Sequence, residues 1–345
     1  EISACLVGSE MCIRDSDMPN RIWLCGDTHM HSSISDGKYT PDELIEKCKA
    51  NGLDWIIITD HNKNAVGEKS YYSENLLVIP GAEYTGRNGH MNIYGSGLPE
   101  FDGTRPEKYE QYLSMSALAH SNGCTVSINH PFCSRFGWRM PLEDFPADCV
   151  EIWNMFMHQS NMTCISWWER QILGGRRIAA VGGSDYHRDY GTSDMLASPT
   201  TFVFAESNSE KDILSALRRG NSFITNSPDA SRLVLSYRDC VQGDEVKFVP
   251  GMKVHLRAER LRKNMTLRVF NNEKIIYEHR IGGESELNED ISIIEKGFVR
   301  AQITYRLRGF RKAFFNIKMA LWRPKEKNIP YDTAVWCITN PMWIV

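Results

Sequence analysis

Short apolar runs recur along the first two-thirds of the chain, and each stops at a polar cluster. Ile22-Trp23-Leu24-Cys25 runs into Gly26-Asp27-Thr28-His29-Met30-His31, and Trp55-Ile56-Ile57-Ile58-Thr59 into Asp60-His61-Asn62. Leu76-Leu77-Val78-Ile79 runs into Pro80-Gly81-Ala82-Glu83, and Thr125-Val126-Ser127-Ile128 into Asn129-His130-Pro131. Cys149-Val150-Glu151-Ile152-Trp153 stops at Asn154, and Ile178-Ala179-Ala180-Val181 at Gly182-Gly183-Ser184-Asp185-Tyr186-His187. Unbroken runs rich in branched side chains predict strands buried on both faces, as in a parallel sheet. A short strand over 90–95 follows a glycine-rich turn, and Thr201-Phe202-Val203-Phe204 ends the series.

Helical spacing fills several of the gaps. Thr40 can cap a helix with Pro41 at its first position and Glu43 three residues after the cap; Leu44, Ile45 and Cys48 mark its buried face. Further helices are expected over 106–122, over 162–173, and from Ser207 and Glu210 through Leu217 to Gly220. Strand and helix thus alternate about seven times. An open doubly wound sheet and a closed barrel both fit that alternation. Metal-capable side chains sit at the C-terminal ends of at least five strands, which a barrel gathers into one ring and an open sheet spreads along a line. The barrel is therefore the expected fold. Past Gly220, short strands alternate polar and apolar with few helices between them, predicting a β-sandwich, with Asn271-Asn272 at a hairpin. The boundary is placed at Asn226-Ser227-Pro228.

Composition narrows the class. A chain of 345 residues with 42% apolar side chains can bury one large core or two smaller ones. A net charge of −3 gives no basic field for general nucleic-acid binding, and no run is long enough for a membrane span. Ten scattered cysteines without a C-x-x-C pair predict reduced thiols and a cytoplasmic location rather than disulfides or a zinc ribbon. Cys5-Leu6-Val7-Gly8-Ser9-Glu10-Met11-Cys12-Ile13-Arg14-Asp15-Ser16 resembles translated sequencing-adapter sequence, so residues 1–17 are expected to be a non-native, disordered leader. The expected units are then 18–226 and 227–345.

The candidate chemistry lies at the strand ends. His29 and His31, two apart, leave an extended chain by the same face. The full set of donors is His29, His31, Asp36, His61, Glu83, His90, His130, Asp185 and His187; His120, His158, His255 and His279 fall elsewhere. Imidazole and carboxylate without sulfur suit zinc, manganese or iron(II). Nine donors exceed the needs of one ion, so two or three divalent ions are expected. A carboxylate bridging two of them can hold a shared water, acidified to a hydroxide nucleophile. That is the chemistry of a hydrolase.

The ordered series H-x-H, S-D-G, T-D-H-N, G-A-E, G-H, N-H-P and G-G-S-D-x-H resembles the PHP (polymerase and histidinol phosphatase) superfamily. Gly220-Asn221-Ser222-Phe223-Ile224-Thr225-Asn226-Ser227-Pro228 and the closing Thr339-Asn340-Pro341-Met342-Trp343-Ile344 resemble its CehA/McbA group of metallohydrolases. The resemblance implies a distorted (β/α)7 TIM-like barrel and up to three ions. It implies that His29, His31, Glu83 and Asp185 hold the first ion. Glu83 bridges to a second, completed by His90 and His130, and Asp36, His61 and His187 take the third. Many superfamily members carry a histidine where this chain has Asp36, the form seen in the phosphatase and phosphodiesterase branch.

The expected reaction is attack of the bridging hydroxide on phosphorus or a carbonyl centre, with Glu83 central and Asp185 or a third-site ligand such as His187 passing a proton to the leaving group. Arg135, after His130-Pro131, is the first choice for a phosphate contact, with Arg139, Arg87 and Arg188 as alternatives. Asn62, Asn154 and His158 are further substrate-binding candidates. The leading substrate class is a small phosphate ester. A carbamate or carboxylic ester is the alternative, kept open by Phe132, Phe136, Trp138 and Phe156; a non-catalytic metal-bound scaffold is a third. Between Arg300 and Lys327, nine basic residues face one acidic residue with aromatics interleaved. Solvated strands are preferred there over a nucleic-acid platform. Oligomeric state is left open.

Overall fold

A computed structural model describes residues 21–189, 195–309, 312–313, 317 and 333–345. The expected leader and most of the basic segment after 309 lie outside the described residues. The first part contains β1 (Ile22–Asp27), α1 (Pro41–Ala50), β2 (Trp55–Ile58), β3 (Tyr71–Ser73), β4 (Leu76–Gly86), β5 (Gly89–Tyr94) and α2 (Tyr109–Ser121). It continues through β6 (Thr125–Ile128), β7 (Cys149–Asn154), α3 (Gln159–Leu173), β8 (Ala179–Gly183), β9 (Thr200–Ala205), α4 (Glu210–Arg219) and β10 (Ser222–Thr225).

The protein is an α/β fold built on a large mixed sheet, in which strands run in the order β10-β9-β1-β2-β4-β5-β6-β7-β8. Pairing is parallel for β1-β2-β4 and again for β6-β7-β8, but β4-β5-β6 and β1-β9-β10 are antiparallel. Seven uniform strand–helix repeats are therefore not what forms. Arg87 and Asn88 turn β4 directly back into β5, and the described residues between β1 and β10 contain four α-helices. Along the strands themselves the ladder does not close between β1 and β8. Just beyond their C-terminal ends it does: Asp185 N–H donates to His29 O at 2.8 Å, and His31 N–H to Tyr186 O at 2.9 Å. Thr28 Oγ1 also donates to Gly182 O at 3.1 Å. The two ends of the run meet where the candidate ligands are.

Local rules explain the helix ends. Thr40 and Glu43 form a reciprocal capping box, with Pro41 at the first turn. At α4 the cap is Ser209, which accepts from Asp212 N–H, whereas Ser207 donates to the Asp212 carboxylate at 2.6 Å. The α3 helix begins at Gln159, earlier than expected, because its cap residue His158 carries no side-chain capping bond to mark the start.

Beyond β10 the chain adds β11 (Arg232–Tyr237), β12 (Cys240–Val241), β13 (Glu245–Val246), β14 (Lys253–Glu259), β15 (Met265–Asn271) and β16 (Lys274–Arg280). It ends with β17 (Glu286–Ser292), β18 (Gly297–Arg306), β19 (Thr333–Thr339) and β20 (Met342–Ile344). A separate four-stranded sheet, β12-β11-β14-β17, shares an apolar core with β15 and β18 through Leu233, Leu235, Leu256, Leu267, Val269 and Ile303. The large sheet is continuous across Asn226, since β19 pairs with β10.

Asn340 locks this second part onto the first. Its Oδ1 accepts from Ala180 N–H at 2.7 Å, while its Nδ2 donates to Ala180 O at 2.9 Å and to Ser222 Oγ at 2.8 Å. The side-chain amide thus stands in for a neighbouring strand at the open edge of β8. Asn340→Ala strands two buried backbone groups and should cost about 2–4 kcal/mol, read as a lower denaturant midpoint; an unchanged midpoint would show that Ala180 finds another partner.

Candidate metal centre

The His29-Met30-His31 segment continues β1 in extended form, bridged through Met30 to Tyr186, so both imidazoles point the same way. Their Nε2 atoms lie 3.1 Å apart, and both rings are fully buried. Glu83, within β4, sits beneath them and is 1% exposed. His29 Nε2 is 3.3 Å from Glu83 Oε1 and 3.5 Å from Asp185 Oδ1, and His31 Nε2 is 3.2 Å from Asp185 Oδ1.

Two further groups share these residues. Glu83 Oε1 lies 3.1 Å from His90 Nδ1 and 3.3 Å from His130 Nε2. Toward solvent, Asp36 Oδ1 lies 3.2 Å from His187 Nε2 and 3.6 Å from His61 Nε2, while His61 Nδ1 is 2.7 Å from Glu83 Oε2. All nine donors singled out from the sequence fall in four overlapping groups, each able to hold an ion. Two ligands about 2.0–2.1 Å from a tetrahedral zinc stand about 3.3 Å apart, and the observed donor separations bracket that value. The buried Nδ1 atoms of His31 and His130 have no hydrogen-bond partner. Donor chemistry, spacing and orphaned nitrogens all fit divalent ions.

Charge within the metal-free cluster is tightly coupled. Burial alone would neutralise Glu83, but the facing His90 and His29 hold its carboxyl well below the usual range. Burial also disfavours charge on His29, yet Glu151, Asp185 and Glu83 outweigh it and raise its pKa well above normal. His31 goes the other way: burial dominates and lowers it to about 3. His61 and His130 overcome burial through their carboxylate neighbours and rise to about 10 and about 9. Two of the ligands are also strained in the backbone: His130 at φ 28° and Asp185 at φ 49° occupy the left-handed region.

A second layer of residues, Glu151, Asp60 and Asn129, orients the donors, and none of the three is among the expected site residues. Glu151 lies inside β7 with its carboxylate buried; Oε1 is 2.9 Å from His29 Nδ1, and Oε2 accepts from His130 N–H at 3.0 Å and Asn154 Nδ2 at 3.1 Å. That contact puts the His29 proton on Nδ1 and leaves Nε2 free for an ion. Its signal in the sequence is a carboxylate inside an apolar run, which is costly unless bonded. Asp60 accepts from Ser32 N–H at 2.9 Å, Ser32 Oγ at 2.6 Å, Ser35 N–H at 3.1 Å and Ser35 Oγ, and so pins the turn that presents Asp36. Asn129 Nδ2 donates to Glu83 Oε1 at 2.9 Å. Glycine is required beside this layer: a Cβ on Gly183 would lie 2.5 Å from His29 Cβ and 2.6 Å from Glu151 Oε1.

Residues 27–127 match the PHP domain family. The matching segment carries six of the nine donors, from His29 to His90; His130, Asp185 and His187 lie beyond it. No curated protein matches the sequence. Among solved structures, the chain is similar to a two-domain protein from Bacteroides vulgatus described as containing a predicted PHP-like metal-dependent phosphoesterase. Identity is 19% and the TM-score 0.50, over 83% of this chain and 92% of that one. A lesion-specific endonuclease from Pyrococcus furiosus matches at 14% identity and TM-score 0.44, over 59% of this chain and 58% of that one. At such identities the likeness concerns the fold.

A cleft of about 480 Å³ opens onto Asp36, His61, Glu83, His90, His130, Asp185 and His187, and Arg135 lines it. Of the other expected substrate contacts, Arg87 and Arg139 also line it, and Asn62, Asn154, His158 and Arg188 do not. Asn62 exchanges two hydrogen bonds with the Thr85 backbone, Asn154 Nδ2 donates to Glu151 and Asp185, and His158 is buried at the head of α3. No described helix is long and apolar enough to cross a membrane.

Proposed function

We propose that this chain is a metal-dependent phosphoesterase whose two or three divalent ions (zinc, manganese or iron) are held by the nine donors around Glu83. The observation that carries the proposal is their convergence in overlapping groups at the floor of a cleft whose rim bears arginines. His29, His31, Glu83 and Asp185 would hold one ion, Glu83, His90 and His130 a second, and Asp36, His61 and His187 a third. Ions held there supply Lewis acidity and a water acidic enough to attack at neutral pH. Arg135 would orient the phosphate bidentately. Asp36 and His187, the pair 3.2 Å apart near solvent, would carry the proton toward the leaving group, with Asp185 on their inner side.

Phosphate is favoured over a carbamate by what lines the cleft. Of the aromatics that kept the apolar reading open, Phe136 lines it; Trp138 meets Phe145 edge-on at 4.7 Å, Phe132 lies near Trp167 at 6.0 Å, and Phe156 meets His158 edge-on. Placement in the CehA/McbA group rests on the two quoted motifs, and it is supported by their meeting through Asn340 and Ser222. Elemental analysis followed by a screen of phosphomonoesters, phosphodiesters and carbamates tests the proposal. Bound metal with phosphoester turnover is expected; carbamate turnover alone would refute it.

Metal loading should also be proton-coupled. With pKa values of about 10 and about 9, His61 and His130 are protonated near neutral pH in the metal-free protein and must lose a proton to bind. Affinity should therefore climb as pH rises toward 9 and fall below neutrality. Calorimetry in two buffers of different ionisation heat should register net proton release; none would contradict this ligand assignment.

A further inference from the structure

Arg87, Arg105, Arg135 and Arg139 all line the cleft, and they come from three different loops. Those loops are tied together. Arg139 donates its backbone N–H to Asn88 O at 2.9 Å, Asn88 Nδ2 donates to Glu107 O at 2.8 Å, and Trp138 Nε1 donates to His90 O at 2.8 Å. The backbone carrying the four guanidinium groups is thus braced against a strand that presents a candidate ligand. All four side chains are exposed, and among the described residues none is ion-paired with a carboxylate. Apart from the nine donors, the acidic side chain of the cleft is Glu107.

Four cations sharing one rim repel each other unless an anion occupies the space between them. A single phosphate does not need so many: one bidentate guanidinium takes two oxygens, and the ions claim others. The surplus charge therefore points to a second anionic group on the same molecule. A volume of about 480 Å³ suits one small molecule. The Phe136 ring, 47% exposed, lies 5.7 Å from the His90 ring and 5.0 Å from the Arg135 guanidinium, a flat apolar surface between ligands and rim.

We infer that the substrate is a small phosphate ester bearing a second phosphate or carboxylate group. Arg87, Arg105 and Arg139 bind that second group, Arg135 binds the reacting phosphate, and the carbon skeleton lies over Phe136. This inference rests on the phosphoesterase proposal and narrows its substrate class.

The test compares butylphosphonate with butane-1,4-bisphosphonate on manganese-loaded protein, by calorimetry and by competition against p-nitrophenyl phosphate. The bisphosphonate should bind at least about tenfold tighter, the effect of one or two added charge-assisted hydrogen bonds. The gap should close in Arg105→Gln/Arg139→Gln, whose fold and metal content are checked separately. Equal affinities in the wild type, or a gap that survives in the double variant, would overturn the inference while p-nitrophenyl phosphate turnover leaves the phosphoesterase proposal standing. Tighter competition by a short oligonucleotide than by the bisphosphonate would overturn the small-molecule assignment. Carbamate turnover with no phosphoester turnover would sink both.

Discussion

Glu83→Ala should lose bound metal and turnover together, with kcat/KM for a phosphoester falling by at least about a thousandfold. Glu83 occupies the junction of the cluster: Oε1 is 3.1 Å from His90 and 3.3 Å from both His29 and His130, while Oε2 is 2.7 Å from His61 and 3.8 Å from His31. Five imidazoles therefore face one buried carboxylate. Removing it leaves them without the anion that offsets two neighbouring cations. Several kcal/mol of charge stabilisation disappear, at about 1.36 kcal/mol per decade of rate. Glu83→Gln separates charge from packing: it can keep the hydrogen bond from Asn129 yet should also lose most of the metal. Elemental analysis and steady-state kinetics on both variants check this. Stoichiometric metal in Glu83→Ala would place the ions elsewhere.

Seven of the nine donors were legible in the sequence because they follow the end of an apolar run, and a strand end is a local feature; Asp36 lies in the turn after the first run and His90 opens a strand. His29 and His31 share a face by period two alone, and Thr40 with Glu43 announced α1 by spacing alone. Strand direction was not legible. The apolar runs of β4 and β6 look alike, yet both pair antiparallel with β5, whose place follows from the tight turn at Arg87-Asn88. The β17 strand carries little apolar signal because it forms a sheet edge: Glu286, Asn288 and Asp290 face outward. Pairing between 29–31 and 184–186 was hidden as well, since residues so distant in sequence meet only through the whole sheet. The orienting layer escaped for a related reason. Asp60 resembles any polar strand end until Ser32 and Ser35 are seen to converge on it.

Glu151→Gln should weaken metal binding about 10- to 100-fold, the usual cost of losing a partner that orients a ligand, without touching any donor atom. The wild-type carboxylate only accepts, and three donors use it: His29 Nδ1, His130 N–H and Asn154 Nδ2. A glutamine has one accepting end. If its oxygen faces His29, its NH₂ meets the donors on His130 and Asn154; if reversed, His29 loses the acceptor that keeps its proton on Nδ1. Either way one ligand is misdirected. Unlike Glu83→Ala, this variant keeps every donor, so excess manganese should restore much of its activity. The defect should also depend on pH with a definite sign. In the wild type Glu151 is the strongest of the charges that raise the pKa of His29, which makes protons stronger competitors for the site. Neutralising it lets His29 lose its proton at lower pH, partly offsetting the misdirection there. The gap in metal affinity between wild type and variant should therefore be widest at high pH and narrow as pH falls. A chelator-competition titration across pH checks this, and a gap that widens toward acid would mean that Glu151 acts on the site other than through His29.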